Sequence, residues 1–362
     1  MSQSQARALA MDALPPQSAG KAQGFMTTAF HAGLLVGPSV GGLIIDHIHW
    51  RAVFFFLVPI ALVGVLLALL NRKRSSVQED EAGDRSRTAI DLIGAVLLVA
   101  ATVSLIAVVD HRIMEAAVPE TRISLIVGFL VCFAAFLYRE ASTTSPILDL
   151  SLFKIRMFSL SSLSLLLFGL AQVMISFVLP FYLQDVLHIS PSFMGVLFIS
   201  APIFAVTLSP AVGWAADKVG PRLPATVGVL LLAMAAFLGA FLRTDSHWLL
   251  AVAVLALWGL ATALFFPPNH VAMIGSVPFR HRGVATGAIY VMFGLGSTFG
   301  ISLGTWLLTA AFRYYTGDAT ATATPANPEV FVRAMNFSFF TGGIMALVAT
   351  LCSALRGKSI RL

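Results

Sequence analysis

Charged residues are scarce in this sequence: they make up 11% of its 362 residues, whereas a soluble domain carries about 25%. Hydrophobic residues account for 58%, and the mean hydropathy is +0.88. A bilayer-spanning helix needs about 20 mostly apolar residues, so this composition has room for roughly ten such helices. We therefore predict an all-α polytopic membrane protein with about ten transmembrane helices.

Other features that the sequence lacks exclude several classes of function. The two cysteines, Cys132 and Cys352, both lie in apolar segments and predict no disulfide framework. The sequence shows no phosphate-binding loop, metal-ligand cluster or nucleophile constellation, so we expect neither an enzyme nor a cofactor. Residues 1–21 lack the apolar core of a signal peptide. The net charge of +6 suits acidic lipid headgroups, and nothing in the sequence points to nucleic acid.

Ten apolar segments follow one another along the chain. They are 22–45, 50–70, 91–109, 122–138, 157–182, 190–213, 223–242, 247–268, 283–311 and 333–355. If the N-terminus is cytoplasmic, 17 of the 23 Lys and Arg residues fall on the cytoplasmic side and 6 on the other. Because cytoplasmic loops of membrane proteins carry an excess of Lys and Arg, this asymmetry predicts that both termini are cytoplasmic.

Glycines are concentrated in the first apolar segment, between Gly24 and Gly42. Glycine in a helix interior costs roughly 1 kcal/mol, so such a helix needs close contact with neighbouring helices to compensate. Successive residues are about 100° apart around a helix, which gives the stretch two distinct faces. One face is a stripe of small residues, Ala29, Gly33, Gly37 and Gly41, and the other carries Gly24, His31, Pro38 and Gly42. By itself the spacing predicts a tightly packed membrane helix and nothing more specific.

The order of residues is more informative in three stretches. The order Gly24, Gly33, Gly37-Pro38, Gly41-Gly42 resembles the antiporter motif of the major facilitator superfamily, which lies in the fifth transmembrane helix of its drug/proton antiporters. Residues 213–222 resemble the superfamily's short cytoplasmic loop motif in its second-half form, through Gly213, Asp217, Lys218, Gly220 and Arg222. A charged turn between two helices is the alternative interpretation of that stretch. Residues 145–153 resemble the segment that precedes the second half in fourteen-helix members.

The resemblance implies a domain organisation. Segment 283–311 has glycines at similar spacing and is the counterpart of the opening helix. The predicted parts are a two-helix remnant of the N-terminal bundle (1–70), a cytoplasmic linker (71–90), the extra helix pair of fourteen-helix members (91–138) and a C-terminal six-helix bundle (139–362). On this alignment, the first four helices of the family are expected to be absent from the sequence.

By the same resemblance, the protein exports hydrophobic, often cationic compounds in exchange for protons, by alternating access of two bundles around a midplane site. The resemblance implies the plasma (inner) membrane as its location, with small-molecule substrate, protons and lipid as partners and a periplasmic adaptor as a further candidate. Two alternatives stay open: a transporter of the same fold for another small solute, or an N-terminally truncated product that is inactive in transport. If four helices are absent, we expect no proton-driven efflux from the chain alone.

Ionisable groups inside a membrane are costly, and are therefore candidates for function. No Asp or Glu lies near the middle of any predicted span, and the family's proton-coupling candidate belongs to its first helix. His31 is then the best remaining buried ionisable group, because the pKa of histidine can cross physiological pH. A histidine that only forms a hydrogen bond with a neighbouring helix is the alternative.

Polar and aromatic residues of the second half are the other candidates. Gln172 and Ser176 share one helix face near mid-membrane, where they either line a pocket or join helices. Asn269 and His270 follow Pro267-Pro268, and are expected to cap a helix that ends at residue 268. Several aromatic residues could stack on an aromatic cation, with lipid-facing bulk as the alternative. They are Phe168, Phe177, Trp258, Phe265, Phe266, Tyr290 and Phe293.

Overall fold

The computed structural model describes residues 18–75, 91–109, 119–143, 149–318, 320–321, 323–324 and 327–357. Helices account for nearly all of these residues. The α-helices, in chain order, are α1 (Ala19–His47), α2 (Trp50–Ser75), α3 (Leu92–Val109), α4 (Pro119–Ser142), α5 (Arg156–Phe181), α6 (Pro191–Phe198), α7 (Ser200–Val219), α8 (Arg222–Gly239), α9 (Trp248–Gly275), α10 (Arg282–Thr316) and α11 (Pro328–Leu355).

The predicted segments coincide with these helices, and segment 190–213 corresponds to the pair α6 and α7. In the described part of the chain, seven helical stretches are long and apolar enough to cross a bilayer. Two further apolar stretches, Phe54–Leu67 and Leu92–Val108, are shorter. The prediction of an all-α polytopic membrane protein is confirmed.

The chain divides into two compact units, Met1–Ala32 with Asp91–Leu362, and Gly33–Ile90. In the first unit, α5 is the central helix and packs against α8, α9, α10 and α11. Its Phe158, Leu165 and Phe168 are fully buried. A helix that is apolar on every side is typical of such an interior position.

The second unit contains the remainder of α1, and α2. The described apolar side chains of α2 are exposed, with Phe54 at 63% and Phe55 at 75%. Such a surface is typical of a helix that meets lipid tails or other apolar helices. Residues 76–90, where most of the cytoplasmic linker is predicted, lie outside the described part of the chain.

Helices α3 and α4, the predicted extra pair, pack against each other. The Asp91 carboxylate accepts hydrogen bonds from Arg139 Nε and Nη2 at 3.2 Å and from the Gly94 N–H at 3.0 Å. The bonds from Arg139, followed by the bond from Gly94, hold the pKa of Asp91 below its usual range. Phe136 on α4 belongs to the core of the first unit, which fixes the pair to that unit.

Two local expectations are corrected. Helix α9 continues through Pro267-Pro268 to Gly275, so Asn269 and His270 are buried in its interior and do not cap it. Prolines are tolerated inside membrane helices where neighbouring groups satisfy the backbone that they leave unpaired. The predicted loop motif is also largely helical, because α7 extends to Val219 and only the residues after it form the turn.

Candidate functional site

The candidate substrate surface lies where α5, α9 and α10 face one another. We call it the aromatic wall, and it consists of Phe168, Gln172, Trp258, Phe265, Phe266 and Phe293. The rings of Phe168 and Phe265 are stacked, with centroids 4.3 Å apart and an interplanar angle of 9°. Phe266 meets Phe168 and Phe293 edge-on, at 5.3 and 5.4 Å. Phe168 and Phe265 are fully buried, whereas Phe266 and Phe293 are only partly buried.

A polar pair interrupts the aromatic surface. The Trp258 indole Nε1–H donates to Gln172 Oε1 over 3.2 Å, which joins α9 to α5. Both side chains are partly exposed. This bond uses the oxygen of the Gln172 amide, and the amide NH₂ group is not part of it. Gln172 therefore joins two helices and also presents polar atoms at the surface of the wall.

The other two polar candidates of the second half do not form part of this pair. Ser176 is partly buried, and its hydroxyl donates to the carbonyl of Val173 in its own helix, at 3.4 Å. Tyr290 lies on α10, three residues before Phe293, and is partly buried. Phe177 is 37% exposed and packs edge-on against Phe181, away from the wall residues named above. Gln172 is thus hydrogen-bonded to Trp258 of the aromatic wall, whereas the Ser176 hydroxyl is hydrogen-bonded within its own helix.

His31 reaches the aromatic wall from α1. Its ring centroid is 6.3 Å from that of Phe266, and the side chain is 8% exposed. Its Nδ1 lies 2.9 Å from the carbonyl oxygen of Thr27 in the same helix. Gln23 and Thr27 are buried on the same helix face, at 0% and 1% exposure. Sequence reasoning overlooked these two residues, although their spacing at four-residue intervals before His31 was a visible signal.

Asp217 of the predicted loop motif forms hydrogen bonds with the start of α1. Asp217 Oδ1 accepts a hydrogen bond from the Gly20 N–H at 2.6 Å, and Oδ2 accepts one from the Lys21 N–H at 3.0 Å. The first turn of α1 has no acidic residue of its own. Because the first N–H groups of a helix have no partner within it, a carboxylate from another helix stabilises them. Gly20 and Gly213 are in close backbone approach, and a Cβ on either would overlap the other's carbonyl oxygen.

The rest of the motif lies at the end of α7, in the turn that follows it and at the start of α8. Gly220 has a φ of +85°, a backbone conformation that favours glycine. Arg222 is the first residue of α8. Lys218 lies over the Trp214 ring, with Nζ 3.7 Å from the ring centroid, in a cation–π arrangement.

The antiporter motif is described only in part. Gly24 is buried, and a Cβ there would lie 2.5 Å from the Ser209 carbonyl oxygen and 2.9 Å from the Pro210 Cα. Gly33 is exposed, and no described atom lies within 4 Å of a Cβ placed on it. The surroundings of Gly37, Pro38, Gly41 and Gly42 lie outside the described part of the structure, so the close-contact stripe stays a prediction.

Known proteins share sequence similarity with most of this chain. A protein-family model described as Major Facilitator Superfamily matches residues 1–171 and again residues 161–358. The riboflavin transporter RibZ of Clostridioides difficile is 26% identical over 292 residues, which cover 80% of this chain and 61% of the relative. The multidrug export protein EmrB of Haemophilus influenzae is 28% identical over 336 residues, which cover 91% of this chain and 64% of the relative.

A third relative, the tetracenomycin C resistance and export protein of Streptomyces glaucescens, is 27% identical over 312 residues, or 84% of this chain and 55% of its own length. The chain thus spans 55–64% of the length of these three relatives. The family is one of transporters rather than enzymes. Since its model matches nearly the whole sequence, the chain belongs to the major facilitator superfamily.

Proposed function

We propose that the protein exports hydrophobic, aromatic and often cationic compounds across the plasma (inner) membrane in exchange for protons. Two of the relatives described above are named for export, one of multiple drugs and one of tetracenomycin C, which supports efflux as the direction. Both termini are cytoplasmic in this proposal, as the distribution of Lys and Arg favours. The transport cycle is the alternating access of two helix bundles around a midplane site.

The aromatic wall is the observation that carries the proposal. Its partly buried rings, those of Trp258, Phe266 and Phe293, offer faces and edges for stacking, and an aromatic face also attracts a cation. The Gln172–Trp258 pair adds one fixed polar position within an otherwise apolar surface. Ligand sites are typically apolar surfaces with a small number of placed polar groups, and this arrangement has that character.

His31 is the proposed proton-coupling group. It is buried at the wall, next to Phe266, and a histidine ring can take up and release a proton. The Thr27 carbonyl oxygen lies 2.9 Å from Nδ1 and orients the ring. Protonation would place a positive charge beside the surface that a cationic substrate occupies, so proton and substrate would exclude each other.

The test is efflux of ethidium from a pump-deficient host that expresses the protein, with and without a protonophore. The proposal predicts efflux that the protonophore abolishes, and a loss of its pH dependence in His31→Gln. A chain without the family's first four helices is instead expected to show no proton-driven efflux. His49, an exposed histidine of the second unit, serves as the matched control through His49→Gln. Absence of efflux with correctly inserted protein would contradict the proposal and favour the transport-inactive alternative.

A flat heteroaromatic metabolite is the second candidate substrate. The partly buried rings of Phe266 and Phe293, together with the Gln172 amide, suit a planar ring with polar edges, and one relative is named as a riboflavin transporter. Uptake and efflux of riboflavin, measured beside ethidium in the same cells, separate the two. Movement of riboflavin without movement of ethidium would favour this candidate.

A further inference from the structure

Arg356 is a buried arginine at the end of α11, only 1% exposed. Its Nη1 donates to Asn269 Oδ1 at 2.9 Å and to the Ser161 hydroxyl at 3.4 Å. Its Nη2 donates to the Pro221 carbonyl at 2.7 Å and to the Arg222 carbonyl at 3.3 Å. One guanidinium therefore connects the end of α11 with α5, α9 and the start of α8.

Neutral oxygens accept the hydrogen bonds of the two terminal nitrogens of this arginine, whereas its buried Nε has no hydrogen-bond partner among the described residues. In the part of the chain that the structure describes, no carboxylate forms an ion pair with Arg356. Burial, together with the neighbouring Arg222, lowers the pKa of Arg356 to about 9, so the side chain stays charged at pH 7. A buried charge is costly unless it is fully hydrogen-bonded, so the four acceptors have to stay in place around it.

One of these acceptors, Asn269, lies directly after a place where α9 lacks backbone hydrogen bonds. Asn269 directly follows Pro267 and Pro268, which both lie inside the helix. Each proline lacks an N–H, so α9 loses two successive backbone hydrogen bonds just before Asn269. Asn269 is fully buried and also donates through Nδ2 to the Ser161 carbonyl at 3.3 Å. Side-chain bonds to α5 and to Arg356 thus hold α9 where its own backbone bonds are missing.

The aromatic wall lies on the other side of the proline pair. Phe266 immediately precedes Pro267, and Trp258 is about two further turns back along α9. Helices bend most readily at prolines, so the direction of α9 before the pair depends on how the segment after it is held. We propose that Arg356 is a positioning residue that clamps the Asn269–Gly275 segment of α9 to α5, α8 and α11, and so sets the position of Phe266 and Trp258 opposite Gln172.

The clamp can be tested without any transport assay. Amide hydrogen exchange of residues 269–275 is measured on the purified protein in lipid nanodiscs. We expect exchange at least about tenfold faster in Arg356→Gln than in the wild type, because the hydrogen bonds of the clamp hold this segment to three other helices. Arg156→Gln is the matched control, since Arg156 is an exposed arginine at the same end of the bundle, with one bond to the Leu355 carbonyl at 3.0 Å. Unchanged exchange in Arg356→Gln would overturn the proposal.

A second variant covers the case in which Arg356→Gln does not fold. Asn269→Ala removes the acceptor on α9 while Arg356 keeps its bonds to the carbonyls of Pro221 and Arg222. We expect the same region to exchange faster in Asn269→Ala, and the acceleration in the double variant to be less than additive, since the two changes share the bond between Arg356 Nη1 and Asn269 Oδ1. Additive acceleration would show that the two residues act separately, and would contradict the clamp.

The positioning role, which rests on the proposed function, needs a readout that a general loss of stability would not give. We expect Arg356→Gln to weaken ethidium binding at least about fivefold, which corresponds to about 1 kcal/mol. In a background with Pro267→Ala and Pro268→Ala, where α9 regains its backbone bonds, the same change should weaken binding less than about twofold. Equal losses in both backgrounds would overturn the positioning role. Faster exchange as expected, in a protein that neither binds nor moves ethidium, would instead refute the proposed function and leave the clamp standing.

Discussion

Asp217, near the end of α7, binds the backbone N–H of Gly20 at the start of α1, 197 residues away in the sequence, over 2.6 Å. The second carboxylate oxygen binds the Lys21 N–H at 3.0 Å. Gly20 and Gly213 allow the two helices to approach closely enough for these bonds. The two sequence motifs that identify the family thus meet in the fold: the aspartate of one holds the helix that carries the other.

This capping interaction predicts a specific loss of stability. Asp217→Ala leaves two N–H groups at the start of α1 without their acceptor, which should lower the free energy of unfolding by about 1 kcal/mol. Thermal unfolding of the detergent-purified protein measures the effect. Lys218→Ala is the control, because the Lys218 side chain packs on Trp214 at the same helix end and has no part in the cap. Equal unfolding temperatures for the two variants would show that the cap contributes nothing.

The Gln172–Trp258 pair predicts a binding defect with little change in shape. Trp258→Phe keeps an aromatic ring but removes the N–H donor, and Gln172→Leu removes the acceptor. Each change should weaken ethidium binding by about 1 kcal/mol, or about fivefold. Since both changes remove the same bond, the double variant should bind ethidium only slightly more weakly than the single variant with the lower affinity.

Ethidium fluorescence titration of the purified protein measures these affinities. Trp306→Phe is the matched control, since Trp306 is 48% exposed on α10. A loss as large in Trp306→Phe as in Trp258→Phe would remove the wall from consideration as the binding surface.

The helices and the family could be predicted from the sequence because long apolar segments and motif spacing are local signals. The run from Gly213 to Arg222 was sufficient to identify the motif, although its helical part could not be separated from its turn. The close contacts of α1 depend on which residues other helices bring to it, and hydropathy does not encode that. The sequence placed the close-contact stripe at Ala29, Gly33, Gly37 and Gly41. The described close contacts of α1 occur at Gly24, a glycine of the antiporter motif, and at Gly20, which the sequence did not single out.

The position of Asn269 was also predicted wrongly because it depends on a contact with a distant part of the chain. Two prolines before an asparagine are typical of a helix end, and that interpretation was wrong because a distant arginine supplies a compensating bond. Arg356 follows the last apolar segment, where a basic residue is usually an exposed cytoplasmic charge. Only the fold shows that it is buried and that Asn269 is among its partners.

The distribution of Lys and Arg predicts the membrane orientation. A reporter that is active only outside the cytoplasm should work when fused at Asp245, between α8 and α9, and fail when fused at Lys218, at the end of α7. Alkaline phosphatase activity of each fusion, normalised to its expression level, measures this. The opposite pattern would reverse the proposed orientation of the whole protein.

Gly24 and Gly33 form a matched pair for the packing of α1. A side chain on Gly24 would run into the backbone of Ser209 and Pro210 on α7, so Gly24→Leu should push the two helices apart. The lost dispersion contacts and the strain should cost about 1–3 kcal/mol, because a well-packed contact cannot take up extra methylene groups. Gly33→Leu meets no described atom within 4 Å, so in the 362-residue protein it should leave thermal stability unchanged. Unfolding temperatures of both variants test this directly. A stability loss in Gly33→Leu as large as in Gly24→Leu would mean that a partner helix covers the Ala29–Gly41 stripe, as the family motif predicts.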